Sequence, residues 1–188
     1  MASNTLDGLK VAILVTDGFE EVEMTAPRKA LDEAGAKTSL ISPKPDKVRA
    51  WDFTDWSNSY PVDVLLASAN PQDYDALLLP GGVINPDTLR VDAKAVAFVK
   101  AFFDAKKPVA SICHGPWTII ETGEASRRMT SWPSLKTDLK NAGATWVDEE
   151  VVVDQGLVTS RSPDDMAAFN RETVKLFAEA RGRAAGAA

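Results

Sequence analysis

Cys113 and His114 are adjacent, and each is the single residue of its type among 188. They end the stretch Pro108-Val109-Ala110-Ser111-Ile112-Cys113-His114-Gly115-Pro116, in which an apolar run gives way to thiol, imidazole, glycine and proline. The run reads as a buried parallel strand. Pro116 suits the first turn of a helix. Cys113 is therefore expected on a sharp strand-to-helix turn. Ser111 two residues before and Gly115 two after match the small-x-nucleophile-x-Gly spacing of a nucleophile elbow, with Cys in place of Ser. The helix N-terminus behind the turn favours thiolate. His114 is the one imidazole available to move a proton, but neighbouring side chains in a turn diverge, so their hydrogen bond is expected to be poor. A buried, inert cysteine is the alternative. Placement at the carboxyl end of a strand, followed by His-Gly, favours the nucleophile.

Two other turns carry residues suited to the same chemistry. Gly81-Gly82 follows Leu79, and such a pair lets backbone N–H groups approach a reacting oxygen as an oxyanion hole requires. Alone, such a pair is more often just a tight loop. Glu20 follows Phe19 at the start of a helix. It either compensates the helix dipole, as Glu21 and Glu23 also would, or faces the cysteine across the sheet end. A carboxyl beside a thiolate has a raised pKa, and once protonated it donates to sulfur or to a sulfenic oxygen.

The elements that must hold these turns follow from periodicity. Leu9–Val15, Thr38–Ile41 and Ala76–Leu79 read as buried strands. Glu20–Ala34 has helical spacing, with Pro27 inside and Gly35 as its stop. Pro86–Phe103 reads as one helix, and Pro116–Glu121 as another ended by Gly123. Arg128–Trp132, 145–147, 151–153 and 157–159 read as short strands, the last two a hairpin. Pro133–Asn141 reads as a helix. A final helix, capped by Ser162, runs from Pro163 to about Ala180. Between Ser42 and Asp75 stand four prolines, Pro43, Pro45, Pro61 and Pro71, with Trp51, Phe53, Trp56 and Tyr60 between them. This segment is expected to form short antiparallel strands near 47–53 and 62–66 joined by an aromatic loop, which either packs over the sheet end or makes an oligomer contact. The sum is an open, mainly parallel α/β sheet with helices on both faces, in one domain over 9–180. A flexible N-terminus (1–8) and a flexible Ala/Gly tail (181–188) flank it.

Composition excludes several classes. The chain is 45% hydrophobic and 26% charged, with net charge −6. No basic run offers a nucleic-acid surface. One Cys beside one His makes neither a disulfide nor a zinc site. No signal peptide or membrane-length apolar run is present, which points to the cytoplasm. The GxGxxG fingerprint is missing after the first strand, which disfavours a Rossmann cofactor.

These motifs together resemble the DJ-1/PfpI superfamily, in its PfpI branch of intracellular-protease-like general stress proteins. The matching stretches are Lys10–Glu23, Tyr74–Gly82, Lys107–Pro116, Asn141–Val147 and Thr159–Pro163, in family order. The resemblance implies a flavodoxin-like sandwich with Cys113 as nucleophile and His114 as its partner. It makes Glu20 the glutamate bonded to the thiol, and backbone N–H groups at Gly81, Gly82 and His114 the oxyanion hole. In peptidase-like members a glutamate from a neighbouring subunit completes a triad. Pro86-Asp87 falls at that place here, with an acid one methylene shorter. The implied activity is peptide hydrolysis, or glyoxalase/deglycase-type work on reactive carbonyls and glycated groups, in a stress response. It needs no metal or organic cofactor and is carried out by a homodimer or hexamer. The competing reading is a non-enzymatic sensor or chaperone-like protein working through reversible oxidation of Cys113. Class I glutamine amidotransferases share the elbow but need a second, distant histidine, which this chain lacks.

Overall fold

The computed structural model describes residues 5–186. In chain order the elements are β1 (Lys10–Leu14), α1 (Glu21–Glu33), β2 (Lys37–Ser42), β3 (Lys47–Asp52), β4 (Asp55–Pro61), β5 (Val64–Leu65), β6 (Ala76–Leu79), α2 (Ile84–Arg90), α3 (Ala93–Asp104), β7 (Val109–Ile112), α4 (Pro116–Thr122), β8 (Arg128–Met129), α5 (Lys136–Asn141), β9 (Thr145–Trp146), β10 (Val151–Asp154), β11 (Leu157–Ser160) and α6 (Met166–Gly186). Seven strands form one sheet in the order β10-β11-β7-β6-β1-β2-β5. All its pairings are parallel except β10 with β11. Its parallel core, β2-β1-β6-β7-β11, has the doubly wound order of a flavodoxin-like fold.

Alternation along the strands splits the core into two layers. Val11 and Ile13 of β1 point to one face, where Met24 and Leu31 of α1 pack with Phe169 and Phe177 of α6. Ala12 and Leu14 point to the other, against Phe98 and Phe102 of α3, Ile119 of α4 and Leu139 of α5. A fully buried side chain of this size contributes roughly 1.5–3 kcal/mol. Both faces are therefore sealed, and the carboxyl ends of β1, β6 and β7 meet at one edge.

Several boundaries differ from the sequence reading, each for a local reason. The partner of β3 is β4, formed by the stretch expected as an aromatic loop. The chain reverses at Phe53, whose φ is +49°, and Trp51 comes to face Trp56 across the hairpin. Residues 64–65 instead pair parallel with β2. The helix expected over Pro86–Phe103 is two helices, broken where the Asp92 carboxylate accepts from the N–H groups of Lys94 and Ala95 to cap α3. Ser162 stands at a helix start without making a side-chain cap. Leu6 is fully buried and its N–H donates to Ala34 O, so 5–8 dock on the core. The last helix continues to Gly186, as an alanine-rich sequence allows. Residues 1–4 and 187–188 lie outside the described residues.

The β3–β4 hairpin matters because it overhangs the edge where β1, β6 and β7 end. Glu21 holds it: its carboxylate accepts from Asn58 Nδ2 at 2.8 Å, Tyr60 Oη at 2.5 Å and the Ser57 hydroxyl. Burial alone would raise the Glu21 pKa, but these donors outweigh it and leave it lowered, while Tyr60 is pushed up to about 12. Glu21→Ala is expected to cost about 1–2 kcal/mol, a figure discounted for partial exposure. A carboxyl whose folded pKa is depressed contributes above its unfolded pKa and is lost as pH falls through the folded one. The gap between wild type and variant in denaturant melts should therefore close in acid. An equal gap at pH 7 and pH 3 would contradict this account of the hairpin.

Candidate active site

β7 delivers Cys113 to the sheet edge with φ +63°, a left-handed conformation that a non-glycine residue adopts only when its surroundings impose it. The ladder imposes it here. Cys113 N–H donates to Ser160 O, its carbonyl accepts from Trp132 N–H, and Gly115 N–H donates back to Ile112 O. Gly115 is needed because a Cβ there would stand 2.8 Å from Leu79 O. The elbow expected from the spacing is present, and Pro116 opens α4 behind it.

The carboxyl that meets the thiol is Glu23, not Glu20. Helical side chains lean toward the helix N-terminus. Position 23, on the first turn of α1, is thereby aimed at the edge where β7 ends. Glu23 is 0% exposed. Its Oε2 accepts from Gly81 N–H at 2.9 Å, and the thiol is within its hydrogen-bonding reach. A Cβ on Gly81 would lie 2.4 Å from Glu23 Oε2 and 2.6 Å from Cys113 Cβ, so glycine alone fits between them. Glu20 precedes the helix in extended conformation and bridges to Trp51. Its two oxygens share the Phe53 N–H, at 3.3 and 3.4 Å. The sequence signal for Glu23 was its place in the first turn, where Glu20 and Glu21 competed with it.

Burial drives the electrostatics. It pushes Glu23 up to about 8, with the charge of Glu20 adding to the rise. It also pushes the Cys113 thiol well above its ordinary value, aided by Glu23, against backbone N–H bonds from Gly82 and His114. The depressed thiol expected from a helix N-terminus is not what the isolated sulfur experiences, since Cys113 is 6% exposed and α4 has only two turns. Sulfur and carboxyl act as one acid, and removal of their shared proton belongs to the pair. The charge can reside on sulfur when Glu23 keeps the proton, because three donors then surround the thiolate.

His114 Nδ1 lies 3.1 Å from Cys113 Sγ, closer than expected for adjacent side chains in a turn. Its ring is sandwiched, 5.0 Å from Trp117 and 5.7 Å from the stacked Trp132. Burial lowers its pKa to about 4, so the imidazole is neutral at physiological pH. Asp87 stands exposed on the first turn of α2. Within the chain it makes no hydrogen bond to His114 among the described residues. Gly82, at φ +75°, fits under Gly18 O and Glu20 N only because it has no side chain.

These groups open into a cavity of about 290 Å³. Its floor is Cys113, His114 and Glu23, and its mouth is rimmed by Trp51, Phe53, Val83, Ile84 and Trp132. Among the described residues, no group of His, Cys, Asp and Glu is arranged to hold a metal ion, and no helix is long and apolar enough to cross a membrane.

Comparison with known proteins gives this site a context. The putative cysteine protease YraA of Bacillus subtilis is 44% identical over 169 residues, covering 89% of this chain and 98% of its own length. Deglycase TK1284 of Thermococcus kodakarensis is 43% identical over 172 residues, covering 90% and 99%. Among solved structures, Drosophila melanogaster DJ-1beta superposes with a TM-score of 0.82 at 24% identity, over 95% of this chain and 96% of its own. The model of the DJ-1/PfpI family matches residues 9–176, all three turns included, and the chain belongs to that family.

Proposed function

We propose that this protein is a cysteine-dependent hydrolase of the peptidase or deglycase type, with Cys113 as nucleophile. The observation that carries the reading is the thiol on a strained elbow, at the floor of an open cavity, between a protonatable carboxyl and two backbone donors. Glu23 holds the shared proton while the sulfur attacks a carbonyl carbon. A C–S bond forms, the carbonyl pair moves to oxygen, and the N–H groups of Gly82 and His114 stabilise that oxygen, whereas the N–H of Gly81, expected to join them, is taken by Glu23. Collapse expels the amine or other leaving group, which takes the proton held by Glu23. Water then cleaves the resulting thioester and returns the proton to the Glu23–Cys113 pair. The neutral His114 orients the sulfur and accepts or relays protons through Nδ1. Glu20 acts on the substrate rather than on the thiol. Asp87 serves His114 only if a second copy of the chain supplies it. The exposed apolar side chains at the cavity mouth favour a homodimer, and the cytoplasm is the proposed compartment.

The second reading, a stress sensor that oxidises reversibly at Cys113, has one observation in its favour. Glu23 Oε1 is buried without a partner, and when protonated it suits a sulfenic oxygen. One experiment separates the two. Intact mass is recorded after brief exposure to an activated peptide ester, to methylglyoxal, or to dilute peroxide. The hydrolase reading expects an acyl or hemithioacetal adduct on the single cysteine that decays with product release. An added oxygen reversed by external thiol, with no carbonyl adduct, would shift the assignment to the sensor.

A further inference from the structure

The charge arrangement at the cavity mouth is one-sided. Glu20 is 7% exposed, lines the cavity, and satisfies two carboxylate oxygens with one long, shared N–H. Glu23 Oε1, fully buried at the cavity floor, has no hydrogen-bond partner by distance and angle among the described residues. Asp52 adds negative potential at Glu20. Among the described residues no lysine or arginine lines the cavity. The nearest arginine in sequence to the rim residue Pro163 is Arg161, and it is committed to Asp165 and Asp148. The same cavity is lined by Trp51, Phe53 and Trp132, the last two 67% and 40% exposed, and Glu20 is tied to the first two through its bridge to Trp51 and the Phe53 N–H. A buried carboxylate without a counter-ion, in a cavity lined by three aromatic side chains, has the composition of a cation-binding cage. It disfavours anions on two counts, by repulsion and by offering them no donor beyond the oxyanion hole.

We propose that Glu20 with Trp51, Phe53 and Trp132 forms a subsite for an organic cation, an ammonium or guanidinium. Substrates of Cys113 then carry such a group within a few bonds of the reacting carbonyl, and phosphorylated or carboxylated carbonyl compounds are excluded. This inference rests on Cys113 being the reacting group. It narrows the substrate to basic side-chain adducts or peptides with a basic residue at the scissile position, and away from nucleotides.

The test uses three methanethiosulfonate reagents of similar size, bearing an ethyl-trimethylammonium, a neutral 3,3-dimethylbutyl or an ethyl-sulfonate group. In each case sulfur displaces methanesulfinate and a mixed disulfide forms on the one cysteine, so intact mass gives the rate. Each rate is divided by that of the same reagent with 2-mercaptoethanol. The work is done in 0.5 M salt, which screens the overall charge of −6 but not a contact inside the cavity. The cationic reagent should exceed the neutral one about tenfold and the anionic one should fall below it by a similar factor, as one charge near contact produces. In Glu20→Gln the cation-to-neutral ratio should collapse toward one. In Phe53→Ala, which removes an exposed ring without touching the core, it should fall about two- to fivefold. Equal normalised rates for all three reagents, or a cation preference unchanged in both variants, would overturn the subsite while leaving the nucleophile standing. A thiol that reacts with none of them would overturn the nucleophile and the subsite together.

Discussion

Cys113→Ala is expected to reduce turnover of any substrate by about a thousandfold or more, the scale on which removal of a covalent nucleophile acts. The argument is chemical as well as positional. His114 and Glu23 would remain in place, but they move protons and neither replaces the sulfur that bonds to the carbonyl carbon. Cys113→Ser should fare little better, because a hydroxyl in this desolvated position has no strong base to ionise it: the imidazole beside it is already neutral and weakly basic, held near pKa 4 by burial. Alanine at φ +63° carries the same backbone strain as cysteine, and the alternative contacts at the elbow are main-chain ones. The melting temperature should therefore stay close to that of wild type. Loss of activity can then be assigned to the missing sulfur. Turnover surviving at a tenth of the wild-type rate, in a well-folded Cys113→Ala protein, would remove the hydrolase assignment altogether.

What could be read before the structure divides along a physical line. The elbow was legible because its constraints are local: a buried strand, small flanks and a proline at the helix start all lie within a few residues of Cys113. The central sheet was legible for the same reason, since buried parallel strands are continuous apolar runs. The identity of the thiol's carboxyl was not. Glu20, Glu21 and Glu23 differ by a fraction of a helical turn, and their three fates depend on where α1 begins. One faces the hairpin tip at Phe53, one ties down Ser57, Asn58 and Tyr60, and one is buried against the sulfur. The β3–β4 pairing was hidden likewise, because its turn relies on Phe53 entering a left-handed conformation that no glycine advertises. The raised thiol is a tertiary effect of a different kind: burial beside a carboxyl outweighs the dipole of a two-turn helix, and neither is visible at the elbow itself. The aromatic residues between 51 and 60 were visible as a group, but their two candidate roles, packing over the sheet end or an oligomer contact, turn on which side chains face outward, and that is a tertiary fact.

Glu23→Gln should stabilise the protein at neutral and alkaline pH while slowing turnover, a combination that follows from the sign of one pKa shift. A carboxyl whose folded pKa lies above its unfolded value contributes stability fully present below the unfolded pKa and lost as pH rises through the folded one. For Glu23 that window runs from its ordinary value of 4.5 to about 8. At pH 7 the fold is therefore forgoing about 3 kcal/mol to keep an ionisable group where charge is poorly solvated. Glutamine is nearly isosteric. Its carbonyl can accept the Gly81 N–H and its amide can donate to sulfur, yet it never ionises. Denaturant melts should show little difference between variant and wild type at pH 4.5 and a growing advantage for the variant up to pH 8. His114 pulls the other way: its lowered pKa costs stability as pH falls from 6.5 toward 4, but it does so in both proteins and cancels in the comparison. The thiol itself should titrate lower in the variant, because the neighbouring negative charge that raises it is gone, so alkylation of Cys113 should gain its rate at a more acidic pH. Turnover should nevertheless fall, since glutamine cannot hold and return the proton that leaving-group departure and thioester cleavage require. A purely structural glutamate would instead give a variant less stable at every pH, with alkylation and turnover declining together. That outcome would leave the elbow without its acid and send the proton back to His114.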